Sequence, residues 1–125
     1  MESIQELLNL TGKSAIVTGG AKGIGLGIVA RLAEAGAAVL IADMDEASAT
    51  KSAQDLQAKG WKVEAIKTDV SSEDDVKAMI ATCVEKFGSL DILVNNAGIY
   101  PSEPIAAMSA KISNASYTSI YEVFS

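Results

Sequence analysis

The sequence predicts an α/β fold, a doubly wound parallel sheet with helices on both faces. Three observations lead there. Four short apolar or β-branched runs alternate with three helical segments. Each run ends at a glycine or a polar residue, which would place those residues on one rim of a parallel sheet. No repeat of about 20 to 50 residues and no low-complexity linker interrupts the alternation. With 125 residues there is room for one domain, and a two-domain enzyme is excluded.

Taken in order, Ser14 to Thr18 is a β-branched run that stops at glycines and reads as a buried strand. Gly23 to Ala35 supplies the first helix, with Ile24, Ile28 and Leu32 recurring every fourth residue. Ala37 to Ala42 is a second buried strand that ends at an acid. From about Asp45 to Lys59 a weaker stripe of Ala49, Ala53 and Leu56 marks a second helix, stopped by Gly60. Lys62 to Thr68 sets Val63, Ala65 and Ile66 among Lys62, Glu64 and Lys67, which suits a strand near the sheet edge. Val76, Met79, Ile80, Cys83, Val84 and Phe87 form one stripe of a third helix. Ser71 or Ser72 can cap it, Glu73, Asp74 and Asp75 suit its positive end, and Gly88 can close it. Asp91 to Asn95 is the fourth strand. From Ser109 the chain is rich in Ser and Tyr and shows no clear period, where a helix or a fifth strand is due.

Composition narrows the function. Sixteen acidic residues against ten basic give a net charge of -6, which argues against nucleic acid as a partner. The chain has no histidine, so Ser-His-Asp chemistry and most zinc sites are closed to it, and no metal site is expected. Cys83 is the single cysteine and cannot form an internal disulfide, which makes the cytoplasm the default compartment. The N-terminus carries acids rather than a basic n-region, and the apolar run Ala35 to Ala42 is far too short to span a membrane.

The chemistry lies at the strand ends. Thr18-Gly19-Gly20-Ala21-Lys22-Gly23-Ile24-Gly25 follows the first strand and opens the first helix. In that setting Gly19 can take the tight turn, Gly23 can let backbone approach a pyrophosphate, and Gly25 can let helix pack closely on strand. The helix N-terminus would then offer its unpaired N–H groups to phosphate. A glycine-rich turn without a ligand is the alternative. Asp43, 18 residues beyond Gly25, can accept from the hydroxyls of an adenosine ribose; otherwise it is a cap or turn residue, a task Asp45 could also fill. Asp69-Val70 and Asn95-Asn96-Ala97-Gly98 complete the rim, although taken singly an Asp is more often a helix cap and Asn-Asn a turn.

Together these motifs resemble the short-chain dehydrogenase/reductase family, whose glycine pattern is Thr-Gly-x-x-x-Gly-x-Gly. The resemblance spans about Leu8 to Met108 and concerns the family's N-terminal, cofactor-binding half. Residues 1–108 accordingly read as an NAD(P)-binding segment and 109–125 as an unassigned tail. The resemblance implies a Rossmann-type sheet of strand order 3-2-1-4, truncated before the later strands, and an oxidoreductase acting on alcohol or carbonyl substrates. It also implies site residues. Gly19, Ala21, Lys22, Gly23 and Ile24 would hold the pyrophosphate, Asp43 the adenosine ribose, and Asp69 and Val70 the adenine. Asn96, Ala97 and Gly98 would line the path to the nicotinamide-side ribose. On cofactor choice, a carboxylate at the ribose repels a 2′-phosphate by about 4 kcal/mol for charges 4 Å apart at a surface-like dielectric. Lys22 offsets some of that, and Met44 offers no charge, so NAD is favoured over NADP.

The sequence departs from the family in one respect. The family's chemistry resides in a Tyr-x-x-x-Lys pair and a preceding serine. Tyr100 is followed four places on by Pro104, Tyr117 by Tyr121 and Tyr121 by Ser125, and the last lysine is Lys111. No catalytic residue is therefore assigned, and a small-molecule substrate is expected only where a C-terminal half completes the pocket. Ile120 stands where the family places a helical asparagine, with Asn114 the nearest candidate. A non-catalytic nucleotide-binding or interaction module, or a truncated product without activity, is the alternative to an oxidoreductase. Finally, the strand at Ile92 to Val94 would end the sheet with an unpaired backbone row. Self-association is expected unless the tail folds back as a covering strand.

Overall fold

A computed structural model describes residues 9–96 and 119–122. The elements in chain order are β1 (Ser14–Thr18), α1 (Gly23–Glu34), β2 (Ala38–Asp43), α2 (Glu46–Gln57), β3 (Val63–Lys67), α3 (Glu73–Phe87), β4 (Ile92–Asn95) and β5 (Ser119–Glu122). The sheet has the order β3-β2-β1-β4-β5. All four pairings are parallel, with Ile16 opposite Leu40 on one side and Leu93 on the other. The doubly wound 3-2-1-4 arrangement expected from the sequence is present.

Strand side chains alternate between two cores, as a period of two requires. Ala15, Val17, Val39, Ile41, Val63 and Val94 face α1 and α2, while Ile16, Leu40, Ala42 and Leu93 face α3. Every residue of β1 is buried, which suits a central strand. Each fully buried Val, Leu or Ile contributes about 1.5–3 kcal/mol relative to exposure. β3 buries only Val63 completely and lies at the sheet end, as its mixed pattern predicts.

The helix ends follow from local chemistry. Asp45 caps α2, its side chain accepting from the Ser48 N–H, and Ser72 caps α3 by accepting from the Asp75 N–H. Gly88 closes α3 at φ 89°, a conformation that suits glycine. The stripe of α3 buries Val76, Met79 and Cys83, with Ile80, Val84 and Phe87 packed partly against them.

α1 keeps the expected four-residue period but not the expected phase. Its buried residues are Gly25, Val29 and Ala33, one position on from Ile24, Ile28 and Leu32. Ile24 is 62% exposed, while Ile28 and Leu32 flank the core partly buried. Close approach of helix to sheet selects small residues for the inward line, and the larger side chains splay to its sides.

β5 corrects the expectation that β4 ends the sheet. Ser119–Glu122 pairs with β4 in parallel, Ile92 opposite Ser119 and Asn95 opposite Glu122. Ile120 therefore occupies a strand, where family spacing had placed it at a helical position. Four residues are too few to display a period, and parallel pairing is a long-range relationship that local patterning does not reveal.

Candidate functional site

The carboxyl ends of β1, β2 and β4 converge on the glycine loop. Gly19 turns the chain at φ 63°, and its N–H donates to the Ala42 carbonyl at 2.8 Å, tying the loop to β2. Gly20 is packed tightly: an added Cβ would stand 3.0 Å from the Val17 oxygen and 3.1 Å from Val29 Cγ2. Gly23 has φ 62° and nothing within 4 Å of where a Cβ would lie, so this side of the loop is open. A Cβ on Gly25 would collide with the Gly19 carbonyl and lie 2.6 Å from Asn96 Nδ2.

Lys22 is the N-cap residue of α1, yet its side chain makes no capping bond, and the first turn holds no acid. α2 and α3 differ, having side-chain caps and one and three first-turn acids respectively. The N–H groups that every α-helix leaves unpaired in its first turn thus have neither a side-chain cap nor a neighbouring carboxylate within that turn of α1.

Asp43 stands beside this loop, half-buried at the end of β2. Its Oδ2 accepts from the Ala21 N–H at 3.1 Å, and its Oδ1 from the Asp45 N–H at 2.9 Å. Ser52 Oγ, from α2, donates to the Ala21 carbonyl at 2.7 Å, so Ala21 is held from both sides. The Ser48 hydroxyl and N–H, with a smaller contribution from Lys22, hold the Asp45 carboxyl below the usual range. Lys22 Nζ lies 3.4 Å from Asp45 Oδ2. Ile24 and Met44, 62% and 64% exposed, are the exposed large hydrophobics among the described residues, and they border the loop and Asp43.

Asp69 makes the turn into α3. Its Oδ1 accepts from the Ser71 N–H at 2.9 Å and the Ser71 hydroxyl at 2.6 Å, and these bonds lower its pKa. Val70 is half-buried against the α3 core. Asn96 closes the rim: its side-chain Nδ2 donates to the Gly19 carbonyl at 3.2 Å, and its Oδ1 is buried without a partner among the described residues. The structure therefore brings Gly19, Ala21, Lys22, Gly23, Ile24, Asp43 and Asn96 around one loop, with Asp69 and Val70 at the neighbouring strand end. Ala97 and Gly98 lie outside the described residues, as do Tyr100, Pro101, Pro104, Asn114 and Tyr117.

Two contributors carry little sequence signal. Thr18 Oγ1 accepts from the Asn96 N–H at 2.9 Å and reaches Asn95 Oδ1 at 3.0 Å, clasping the ends of β1 and β4. Ser52 lies on an exposed-looking stretch of α2, and nothing in its spacing points to the loop. Among the described residues no helix is long and apolar enough to cross a membrane.

Comparison with known proteins places the chain in a family. The model of the short chain dehydrogenase family matches residues 13–123. The 3beta-hydroxysteroid dehydrogenase 2 of Eggerthella lenta is 48% identical over 100 residues, covering 79% of this chain and 38% of that protein. The galactitol 2-dehydrogenase of Agrobacterium fabrum is 40% identical over 116 residues, covering 93% and 43%. A crystal structure of a short chain dehydrogenase/reductase from Burkholderia phymatum in complex with NAD superimposes with a TM-score of 0.70 at 34% identity, covering 73% of this chain and 32% of that one. The chain spans less than half the length of these relatives. By its family match, its sheet order and its sequence identity to these proteins, this chain belongs to the short chain dehydrogenase family.

Proposed function

We propose that the chain binds NAD, in preference to NADP, across the rim formed by the glycine loop, Asp43 and Asn96, and supplies the cofactor-binding part of an oxidoreductase for alcohol or carbonyl substrates. The dehydrogenase relatives and the NAD complex of the Burkholderia protein support the class. The observation that carries the reading is the bond from the Ala21 N–H to Asp43 Oδ2, which sets the glycine loop and the ribose-binding acid side by side.

The residues fit the group. Gly23 presents an open, left-handed backbone where a side chain would fill the approach to phosphate. The α1 N-terminus, with no side-chain cap and no acid in its first turn, favours a bound anion. Asn96 Oδ1 is a buried acceptor still needing a donor, such as a ribose hydroxyl or a water. A carboxylate offers about four lone-pair directions. Asp43 uses two on Ala21 and Asp45, and the remainder are available to ribose hydroxyls. Ile24 and Met44 would give apolar cover on either side of the nucleotide, with Asp69 and Val70 at the adenine end. When bound, the nicotinamide supplies the hydride donor or acceptor; the chain's own residues bind, orient and shield it.

The reading extends to compartment and assembly. A buried free thiol at Cys83 suits the reducing cytoplasm. β5 pairs with β4 as the covering strand that the expectation of self-association excepted, so the proposal takes the chain to need no pairing with a second copy at the β4 edge. Calorimetric titration of the 125-residue chain with both nucleotides tests the main claim. Tighter binding of NAD is expected; equal or tighter NADP binding, or no binding of either, overturns it.

A further inference from the structure

β3 ends the sheet, with β2 on one side and no strand of the described residues on the other. The Val39 N–H donates to the Lys62 carbonyl and the Thr68 N–H to the Asp43 carbonyl, so the even-numbered residues of this strand turn their backbone groups toward β2. Val63, Ala65 and Lys67 turn theirs outward, a row that is a template for a further strand. A second copy could add to it antiparallel, about a two-fold axis. In the register centred on Val63, its carbonyl accepts from the Val63 N–H of the copy, and Lys62 stands opposite Glu64 of the copy, a favourable charge pair. In the register centred on Ala65, the same carbonyl is needed by the Lys67 N–H of the copy.

That carbonyl is already taken. Gln57, the last residue of α2, donates from Nε2 to the Val63 carbonyl at 2.6 Å and to Glu64 Oε2 at 3.2 Å. α2 packs with Val63 on one face of the sheet, whereas Glu64 Oε1 lies 3.4 Å from Lys86 Nζ of α3 on the other. The Gln57 amide therefore crosses the outer edge of the strand from face to face. Lys67, exposed on the same strand, adds an edge charge of the kind that discourages pairing. We infer that Gln57 is a strap closed over the β3 edge, occupying the acceptor that a second copy would need and holding Glu64 away from Lys62 of that copy, so that the chain does not extend its sheet through β3.

Sedimentation velocity of the 125-residue chain over a concentration series, with hydrogen exchange at Ala65, tests this. Gln57→Ala, and Gln57→Leu, which keeps side-chain bulk without the donor, should each raise the average mass with concentration toward that of a dimer, about twofold, and slow exchange of the Ala65 N–H. Gln57→Lys retains a donor for the Val63 carbonyl and should behave as the parent chain does. Ala65→Pro removes an outward N–H, a change an edge strand tolerates, and added to Gln57→Leu it should return the mass to the parent value. Unchanged mass in both Gln57→Ala and Gln57→Leu, with only a lower melting temperature, would reduce the residue to a brace of the turn between α2 and β3 and overturn the inference. Association that survives Ala65→Pro, or Ala65 exchange already slow in the parent chain, overturns it as well.

Discussion

The Asn96 side chain donates from Nδ2 to the Gly19 carbonyl across 3.2 Å, and Gly25 fills the third corner of that contact. The end of β4, the turn after β1 and the first turn of α1 thus meet at one point, where a hydrogen takes the place of a methyl group. Position 25 has a geometric reason to be glycine that is independent of backbone dihedral, since its φ lies outside the left-handed region.

Gly25→Ala therefore forces apart a carbonyl and an amide that have little freedom to move. Overpacking of this kind typically costs about 1–3 kcal/mol, and about 1 kcal/mol lowers the melting temperature of a domain this size by roughly 4 °C. The expected result is a fall in melting temperature together with weakened nucleotide binding. An unchanged melting curve would show that the loop yields at no cost.

Thr18→Val tests the clasp between β1 and β4. The substitution keeps the shape and removes the acceptor for the buried Asn96 N–H along with the donor to Asn95 Oδ1. Leaving a buried donor unpaired costs about 1–3 kcal/mol. Urea unfolding should register that loss, and hydrogen exchange at Asn96 should accelerate.

The clasp also shows where the sequence becomes hard to read. Thr18 and Asn95 are 77 positions apart, and their contact exists only because β4 lies next to β1. Strand positions such as Ile16 and Val17 are legible because an uninterrupted β-branched run stopped by glycines reports burial locally. The caps Asp45 and Ser72 are legible for the same reason, since capping acts within three residues. The phase of α1 is not, because Ile24 is apolar yet exposed on the rim, where hydrophobicity marks a surface rather than a core. The loop-facing role of Ser52 and the strand at Ser119–Glu122 depend on packing between distant segments, which periodicity does not encode.

Cys83 should be inert in the native state. Burial, and secondarily the negative charge of Asp91, push its thiol up from 9.0 to about 12. A folded-state pKa above the unfolded one means that the stabilisation is fully present below pH 9 and is lost as pH rises toward 12. Melting temperature should accordingly decline between those limits. At pH 8 iodoacetamide should label the native chain many-fold more slowly than the urea-unfolded chain; equal rates would contradict the burial argument.

At the acid end the sign reverses. Asp45 and Asp69 are held below their ordinary 3.8 by Ser48 and Ser71 respectively, with Lys22 a lesser influence on Asp45. Their contribution is present above that value and is lost as pH falls below it. Asp69→Asn should flatten the acid limb of a pH–stability curve measured by circular dichroism. Loss of the same stability at pH 7 and pH 3 would show that the charge of Asp69 is immaterial.

The 125-residue chain by itself is expected not to turn over substrate. Hydride transfer to a carbonyl creates an alkoxide that needs a proton donor within about 3 Å, and positioned acid–base groups contribute about 100 to 10,000-fold. The family's Tyr-x-x-x-Lys pair is absent from these residues, and there is no histidine to replace it. A tyrosine without a nearby cation keeps a pKa of about 10, too high for an efficient base at neutral pH. Among the rim residues, Asp43, Asp45 and Asp69 are carboxylates engaged in backbone hydrogen bonds, and Lys22 is engaged by Asp45. None is placed as a proton donor to a substrate oxygen. NADH absorbance followed with a panel of alcohols and ketones, using chain purified free of host dehydrogenases, should stay at the background rate even where calorimetry shows NAD bound. Turnover that persists in the parent chain and disappears in Tyr117→Phe would identify a catalytic tyrosine and overturn this expectation.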